Sequence, residues 1–168
     1  MSTCPKVAVI MGSDSDFPTV KKCITTLKKF GIEADVSVIS AHRTPDIAEQ
    51  YAKNAEAGGI ELIIAAAGKA AHLGGVLAAF TTLPVIGIPI KSSTMDGLDS
   101  LLSMVQMPKG IPVATVAIDG AENAGILAAQ ILSLKYADIK EKLKQHKIDM
   151  ANEVKEKNDA MKEEVKKL

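Results

Sequence analysis

The sequence predicts an α/β protein, a three-layer α/β/α sandwich with a flavodoxin-like parallel sheet between two layers of helices. Three observations lead to this prediction. The chain contains five short apolar runs rich in Val and Ile, a loop follows each run, and apolar residues at helical spacing follow most of the loops. With 168 residues the chain has the length of one domain with a sizeable core.

The first two units set the pattern of strand, loop and helix. The run KVAVIM (6–11) predicts a strand, and GSDSD then leads into a helix that ends before Gly31. The run DVSVIS (35–40) predicts the second strand, and AHRTPD leads into a helix closed by Gly58 and Gly59.

Three further runs complete the predicted sheet. The strands are expected at 60–67, 84–90 and 111–118, and the last is followed by helical spacing from about residue 122. Strands that alternate with helices form parallel sheets, because each crossover helix returns the chain to the same edge. Ligands bind outside the carboxyl ends of such strands, so the loops that follow the strands should converge on one site.

The composition changes after Tyr136, which predicts a domain at 1–135 and a helical extension at 136–168. The extension is highly charged, and its apolar residues fall on one narrow stripe. One interpretation is a solvated helix that frays at its end. The other is an arm whose stripe packs on the domain or on a neighbouring subunit. The stripe consists of Ile139, Leu143, Met150, Val154, Met161, Val165 and Leu168.

Composition also limits the partners. The 20 basic and 20 acidic residues balance, so no overall charge attracts nucleic acid or anionic lipid, and no apolar stretch is long enough to cross a membrane. Cys4 and Cys23 have no metal-binding spacing and are expected to be structural. The N-terminus lacks the features of a secretion signal, and a cytoplasmic location is therefore predicted.

Two of the strand-end loops carry polar chemistry. In GSDSD the hydroxyls of Ser13 and Ser15, backbone N–H groups and two carboxylates suit a sugar phosphate, although Ser and Asp also serve as ordinary helix caps. In SAHRTPD, Pro45 suits the first turn of a helix, which leaves His42 and Arg43 at the corner. Arg43 can bind a phosphate through two hydrogen bonds, and His42 can exchange protons near neutral pH.

The stretch AAAGKAAHLGG is composed almost wholly of small residues. It allows a close backbone approach to a flat ring or a small apolar molecule, or else it is a helix packed tightly on the sheet. Lys69 is a candidate anion contact, and His72 either caps or orients the loop or acts on the ligand. Two other users of this fold are excluded, because the third strand ends without the aspartate of a phospho-receiver and the strand-end loops lack the aromatic rings that hold flavin.

The combination of these motifs resembles the PurE family of purine biosynthesis. The motifs that carry the resemblance are GSDSD, SAHRTPD, AGxAAHLGG, DSLLSMVQMPKGIPVATVAI and NAGILAAQIL, between about residues 6 and 134. The resemblance implies a mutase that converts N5-carboxyaminoimidazole ribonucleotide into 4-carboxy-5-aminoimidazole ribonucleotide by way of free CO2. It also implies a homooctamer that uses neither a metal nor an organic cofactor.

The resemblance assigns roles residue by residue. Ser13 and Asp16 match ribotide-binding positions, Ser40 and Arg43 match phosphate contacts, and His42 matches the catalytic acid and base. The small-residue stretch supplies further substrate contacts, and SSTMDGLDSLLSMVQMP resembles a segment that closes over the site. Those further contacts are Gly68, Lys69, Ala70, His72 and Leu73, and the closing residues are Ser92, Asp99, Gln106, Met107 and Pro108.

Three departures from the mutase pattern leave a second activity open. Where that pattern reads AGGAAHLPG, Lys69 replaces a glycine and Gly74 a proline, and AIDGAENAG is shorter than usual. A second class of the family, which carboxylates aminoimidazole ribonucleotide directly with CO2, tends to have a basic residue after AG and a shorter loop. His72 and SMVQMP favour the mutase, with direct carboxylation as the alternative and a non-enzymatic nucleotide-binding module as a more remote one.

Overall fold

The computed structural model describes residues 4–93 and 95–168, and within them the chain forms a five-stranded parallel sheet flanked by helices. The strand order is β2-β1-β3-β4-β5, the flavodoxin-like order, which confirms the predicted fold class. The strands are β1 (Lys6–Met11), β2 (Glu33–Val38), β3 (Ile60–Gly68), β4 (Val85–Ile90) and β5 (Ala114–Thr115).

Helices connect the strands and continue to the end of the chain. The chain divides into two compact units, a first one up to Ala128 and a second one from Ala129 to Leu168. A short 3-10 turn at Asp14–Asp16 precedes the first helix. The helices are α1 (Phe17–Phe30), α2 (Pro45–Asn54), α3 (Leu73–Ala79), α4 (Leu98–Val105), α5 (Ala121–Leu132) and α6 (Ala137–Val165).

The core is centred on β1 and β3, the two strands with the longest apolar runs. Residues 7–11 of β1 and 62–67 of β3 are all buried, as expected of strands covered by helices on both faces. Their register places Val9 opposite Ile64 on one side and Val36 of β2 on the other. The core therefore fixes the positions at which β1 and β3 end, and with them the start of the loops.

Two strands differ in extent from the prediction. β2 lies at 33–38 instead of 35–40, because its pairing with β1 runs from Glu33 to Val38, so Ser40 belongs to the loop. β5 has two residues instead of eight, and the longer prediction was wrong. Pro112 has no N–H to donate to a ladder, and beyond Thr115 the chain contacts β4 through separate hydrogen bonds, from Val116 to Gly87 and from Asp119 to Pro89.

The second unit contains α6, a helix of 29 residues, in agreement with the predicted helical arm. The apolar stripe is largely exposed towards its end, with Val154 at 66%, Met161 at 63% and Val165 at 59%. What covers this stripe stays a prediction. In the part of the chain that the structure describes, no helix combines the length and the apolar character needed to cross a membrane.

Candidate active site

The loops that follow β1, β2, β3 and β4 surround one cavity of about 450 Å³ at the carboxyl edge of the sheet. Parallel strands end at the same edge, so residues far apart in sequence meet there. All ten residues predicted to form the site line this cavity, namely Ser13, Asp16, Ser40, His42, Arg43, Gly68, Lys69, Ala70, His72 and Leu73.

The loop after β1 is held by its own hydroxyl groups. Ser13 Oγ accepts hydrogen bonds from the N–H of Ser15 at 3.3 Å and from Ser15 Oγ at 2.8 Å, so Ser13 does cap the 3-10 turn. Asp16 closes the turn and is only 8% exposed. Burial raises the pKa of the Asp16 carboxyl, and hydrogen bonds from the Ser13 backbone and the Ser15 hydroxyl oppose that shift in part. A nearly buried carboxylate beside two hydroxyls is thus available to the cavity.

The loop after β2 turns tightly onto α2. Thr44 Oγ1 donates to the carbonyl of Ser40 at 2.9 Å and accepts from its N–H at 3.1 Å, and Pro45 begins the helix as predicted. The exposed Arg43 guanidinium makes only long contacts, Nε to Ser40 Oγ at 3.4 Å and Nη2 to the carbonyl of Gly12 at 3.5 Å. These contacts are at the weak end for hydrogen bonds, so the guanidinium keeps most of its capacity to bind an anion.

Each of the two predicted interpretations of the small-residue stretch after β3 holds for one part of it. Gly74 lies in α3, where an added Cβ would be 3.5 Å from Val113 and 3.7 Å from Ala65, so this part is packed on the sheet. Residues 68–70 line the cavity instead. Lys69 has a φ of +55°, a left-handed conformation that glycine adopts without steric cost and lysine does not.

The side chains of His42 and His72, from the loops after β2 and β3, contact each other. The distance from His42 Nε2 to His72 Nδ1 is 2.9 Å, and the rings lie edge to face with an interplanar angle of 86°. His72 precedes α3 but makes no side-chain capping bond. Of the roles predicted for His72, capping by the side chain is therefore wrong, and the ring contacts His42 instead.

The cavity also includes residues that the sequence analysis did not single out. Lys91, which directly follows β4, lines the cavity, and its Nζ lies 3.2 Å from Asp96 Oδ1. Its N–H donates to Asp119 Oδ1 at 3.0 Å. The sequence could have identified Lys91 as a cavity residue from its position directly after a predicted strand. The other newly found lining residues are Gly12, Ala41, Ala67, Ile90 and Ser93, and the lining also includes Ser15 and Ser92, which the sequence analysis named beside the ten site residues.

The segment expected to close over the site contributes only in part. Ser92 is buried, lines the cavity and donates to Asp99 Oδ1 at 2.9 Å, with Asp99 Oδ2 at 3.0 Å. Among the lining residues that the structure describes, Asp99 itself and residues 106–108 are absent. Asp99 thus orients a cavity residue without reaching the cavity.

The electrostatics of the cavity favour an anion. Arg43, Lys69 and Lys91 contribute three positive charges, of which that of Lys91 is paired with Asp96, and Asp16 contributes one carboxylate. Cations that converge on a cleft concentrate anionic ligands there. The hydroxyls and the carboxylate on the β1 side suit the hydroxyl groups of a sugar.

Comparisons with known proteins give a consistent picture. A family model described as AIR carboxylase matches residues 6–153. The N5-carboxyaminoimidazole ribonucleotide mutase of Thermotoga maritima is 60% identical over 153 residues, 91% of this chain and 90% of that protein. The mutase of the same name from Saccharolobus solfataricus is 57% identical over 150 residues, 89% of this chain and 95% of that protein.

A solved structure shares the fold over nearly the whole chain. The crystal structure of Treponema denticola PurE has a TM-score of 0.86 at 33% identity. The match covers 94% of this chain and 99% of that one. The arrangement of strands and helices described above is therefore that of a PurE protein.

Proposed function

We propose that this chain, which belongs to the AIR carboxylase family, is an N5-carboxyaminoimidazole ribonucleotide mutase of purine biosynthesis. This family is the one that the sequence analysis names PurE. It would move a carboxylate from the exocyclic nitrogen to carbon 4 of the imidazole ring. The observation that carries the proposal is the cavity that His42 and Arg43 line together with residues of the GSDSD loop and residues 68–70. Relatives with high identity that bear the mutase name support it.

The ribotide would bind through its phosphate and its ribose. Arg43 and the Ser40 hydroxyl, which lie within 3.4 Å of each other, would hold the phosphate. The Ser13 hydroxyl would donate to or accept from the ribose hydroxyls, and the Asp16 carboxylate would accept hydrogen bonds from them. This arrangement would direct the aminoimidazole ring towards His42, which lines the same cavity.

The wall of Gly68, Ala70 and Leu73 would face the ring and the CO2 released from it. These residues offer no side chain that reacts with CO2, and the small size of Gly68 and Ala70 allows close contact. A cavity closed around the ring would retain CO2 and exclude water until the new bond forms. Lys69 would stabilise the migrating carboxylate by its charge.

His42 would supply and remove the protons that balance the isomerisation. The carbon–nitrogen bond of the carbamate breaks as His42 donates a proton to the exocyclic nitrogen, which releases CO2. The electron pair of ring carbon 4 then attacks CO2 and forms the carbon–carbon bond. His42 takes up the proton from carbon 4, so one proton is given and one is recovered in each turnover.

We also propose that the protein acts in the cytoplasm as a homooctamer, without a metal or an organic cofactor, as the family resemblance implies. The exposed stripe on α6 supports an arm that packs on a neighbouring subunit, since apolar side chains more than half exposed favour burial in an interface. The mass in solution tests this assembly. Eight chains of 17.7 kDa are expected, and a monomeric mass would contradict it.

Direct carboxylation of aminoimidazole ribonucleotide by CO2 is the second candidate. The observation that favours it is Lys69, a basic residue that lines the cavity and replaces a glycine of the mutase pattern. A cation beside the CO2 site would stabilise a new carboxylate in either reaction. The two activities therefore differ in the substrate that the cavity accepts.

The test supplies the purified protein with N5-carboxyaminoimidazole ribonucleotide in one assay and with aminoimidazole ribonucleotide plus CO2 in another. The ultraviolet absorbance of the 4-carboxy product is followed in both. Efficient use of the first substrate alone supports the mutase, and efficient use of the second supports the carboxylase. Inactivity in both, together with a His42→Asn variant that retains ligand affinity and full function in cells, would favour the nucleotide-binding module.

A further inference from the structure

Lys91 is a cation of the cavity to which the proposed function gives no role. It directly follows β4 and lines the cavity together with Arg43 and Lys69. In the sheet order β2-β1-β3-β4-β5, the loop of Arg43 follows β2, so β1 and β3 lie between it and the strand of Lys91. Neighbouring strands are about 4.8 Å apart, which separates the ends of β2 and β4 by about 14 Å. Lys91 is therefore on the side of the cavity away from the proposed phosphate site.

The backbone around Lys91 is held on both sides of its Cα. Its N–H donates to Asp119 Oδ1 at 3.0 Å, and the carbonyl of the preceding Ile90 accepts from the buried Ser100 hydroxyl at 2.8 Å. Asp119 makes this contact from a left-handed backbone conformation, with a φ of +55°. Backbone strain of this kind persists where the surrounding structure holds a residue in place. The root of the Lys91 side chain is thus fixed before a ligand binds.

The ammonium group of Lys91 contacts a carboxylate in an exposed ion pair. Its Nζ lies 3.2 Å from Asp96 Oδ1, and Asp96 is also in the left-handed conformation, with a φ of +52°. The two side chains are 60% and 85% exposed. Exposed ion pairs contribute little to stability, because water screens the charges and the pairing restricts both side chains. Another carboxylate can therefore replace that of Asp96 at small cost.

We propose that Lys91 is a specificity-determining residue that binds the carboxylate of the ribotide, and that Asp96 occupies the ammonium until the carboxylate of the ligand displaces it. This inference rests on the proposed function, in which the substrate carries a carboxylate as well as a phosphate. With the phosphate on Arg43, the base of the ribotide extends towards β3 and β4. Lys69 follows β3 and approaches the migrating carboxylate from there, and Lys91 holds the carboxylate from the β4 side.

The exchange at Lys91 distinguishes the ribotides by one group. Aminoimidazole ribonucleotide has the phosphate and lacks the carboxylate, so it cannot replace Asp96 and gains no affinity from Lys91. N5-carboxyaminoimidazole ribonucleotide and the 4-carboxy product each carry a carboxylate that can form a charge-assisted hydrogen bond with the ammonium. Specificity is a difference between two affinities, and Lys91 raises only one of them. Asp96 lowers the same affinity, because it competes for the ammonium.

The test compares equilibrium binding of two ligands by isothermal titration calorimetry, namely 4-carboxy-5-aminoimidazole ribonucleotide and aminoimidazole ribonucleotide. Lys91→Met removes the ammonium and keeps a long side chain. We expect its Kd for the 4-carboxy ribotide to rise at least about 10-fold, since a hydrogen bond to a charged group is lost. Its Kd for aminoimidazole ribonucleotide should stay at the wild-type value. Lys91→Arg keeps the charge and should retain most of the affinity for the 4-carboxy ribotide.

Lys29→Met is the matched control for the loss of one positive charge. Lys29 is exposed in the last turn of α1, which ends at the opposite edge of the sheet. This variant should bind both ribotides as the wild type does. An equal loss in Lys29→Met and Lys91→Met would overturn the proposal, because it would assign the effect to the total charge of the protein.

Asp96→Asn tests the competing carboxylate in the opposite direction. Asparagine also tolerates the left-handed conformation, so the turn should be kept. We expect this variant to bind the 4-carboxy ribotide several-fold more tightly than the wild type and to bind aminoimidazole ribonucleotide unchanged. In the double variant Lys91→Met/Asp96→Asn, the gain should disappear, because the two residues act on the same ligand group through one contact.

The ratio of the two dissociation constants decides the outcome. Lys91→Met would overturn the proposal by weakening both ribotides equally, or by weakening neither. Both side chains are exposed, so the variants are expected to fold, and melting temperatures check this. If Lys91→Met were unstable, Asp96→Asn with unchanged affinity for the 4-carboxy ribotide would still overturn the proposal. A wild-type protein that binds both ribotides and converts neither would remove the proposed function, while the ratio of dissociation constants would still test Lys91. Wild-type protein that binds neither ribotide would overturn both proposals.

Discussion

The two edges of the sheet differ in the residues that occupy left-handed backbone positions. At the amino edge, where helices return to strands, these positions are glycines, namely Gly31, Gly59 and Gly110. At the carboxyl edge Gly97 is joined by Lys69, Asp96 and Asp119, whose φ values are 55°, 52° and 55°. Lys69 adds a steric cost of about 1–2 kcal/mol that glycine would avoid, and the two aspartates tolerate this conformation at a smaller cost. Strain of this kind is concentrated where side chains serve a site.

The hydrogen bonds at the two edges show the same contrast. The glycine turns at the amino edge complete helix ends, with Gly31 N–H donating to Lys28 and Gly59 N–H donating to Glu56. At the carboxyl edge, Asp119 uses its side chain to accept the N–H of Lys91, a residue of the cavity. The amino edge is therefore built for turning the chain, and the carboxyl edge gives up conformational stability to place side chains.

The largest effect is expected at Arg43, on the carboxyl edge. Arg43→Ala removes the guanidinium that we assign to the ribotide phosphate, and a lost hydrogen bond to a charged group is worth about 1.5–3 kcal/mol, or roughly a 10-fold to 100-fold increase in KM. Because the side chain is exposed and makes only long contacts, the melting temperature should stay near that of the wild type.

Arg43→Lys is the matched control, because it keeps the charge and loses the two-pronged geometry. We expect its KM to lie between those of the wild type and Arg43→Ala. Unchanged substrate affinity in the alanine variant would remove Arg43 from the phosphate site and weaken the contrast between the edges.

The next effect is expected at Gly59, on the amino edge, and it should concern stability alone. Gly59 has a φ of +81°, and an added Cβ would have no neighbour within 4 Å. Gly59→Ala should therefore cost about 1–2 kcal/mol through its backbone conformation and no clash. Thermal unfolding measures this loss, and turnover per folded molecule should not change.

Gly59→Asn separates the two possible causes, since asparagine tolerates the left-handed conformation better than alanine. It should recover part of the lost stability. An asparagine variant as unstable as the alanine variant would show that something other than φ limits this position.

The contrast between the edges was only partly predictable from the sequence. Continuous apolar runs such as 60–67 identify buried parallel strands, and the unusual loops after them identify the functional edge, because parallel strands end together. The family resemblance was confirmed by the family model that matches residues 6–153, and two of its motifs, GSDSD and SAHRTPD, begin at such strand ends. The extent of β5 was not predictable, because pairing at the sheet edge depends on backbone geometry that the apolar pattern does not encode.

Distances inside the site were also beyond the sequence. His42 and His72 are separated by 30 residues, and nothing in either loop indicates that the rings meet at 2.9 Å. Lys69 looked like a replacement for glycine, but its left-handed φ depends on the turn between β3 and α3. These distances and backbone angles depend on how the core fixes the two loops, and the sequence pattern does not encode that arrangement.

A smaller effect, of opposite sign for stability and function, is expected at Lys69. Lys69→Gly relieves the left-handed strain and should raise the free energy of unfolding by about 1 kcal/mol, although glycine also increases the entropy of the unfolded chain. The same change removes a cation from the cavity and should weaken binding of the anionic substrate.

Lys69→Ala keeps the strain and removes the charge, so it should bind as weakly as the glycine variant without the gain in stability. Denaturant unfolding and KM, measured on both variants, check the pair of effects. If glycine gave no more stability than alanine, the argument that the carboxyl edge is strained would fail at this residue.

The smallest effect is expected at Asp16, and it depends on pH. Burial raises the folded-state pKa of this carboxyl above its ordinary value of 3.8, so the charged form destabilises the folded protein at neutral pH. Stability is regained as the pH falls through the raised pKa. Asp16→Asn, which has no charge to bury, should be more stable than the wild type at pH 7, and this advantage should disappear below about pH 3.8.

Unfolding of the two proteins at neutral and acidic pH measures that difference in stability. Substrate affinity measured at pH 7 tests whether Asp16 contributes to binding. The asparagine keeps an oxygen that can accept from Ser15 Oγ, now 3.4 Å from Asp16 Oδ1, so the turn should remain intact. An advantage that did not change with pH would point to packing instead of charge. If the asparagine variant is more stable but binds the ribotide less well, Asp16 has the same kind of role as Lys69. Both residues would then contact the substrate at the carboxyl edge at a cost to the stability of the fold.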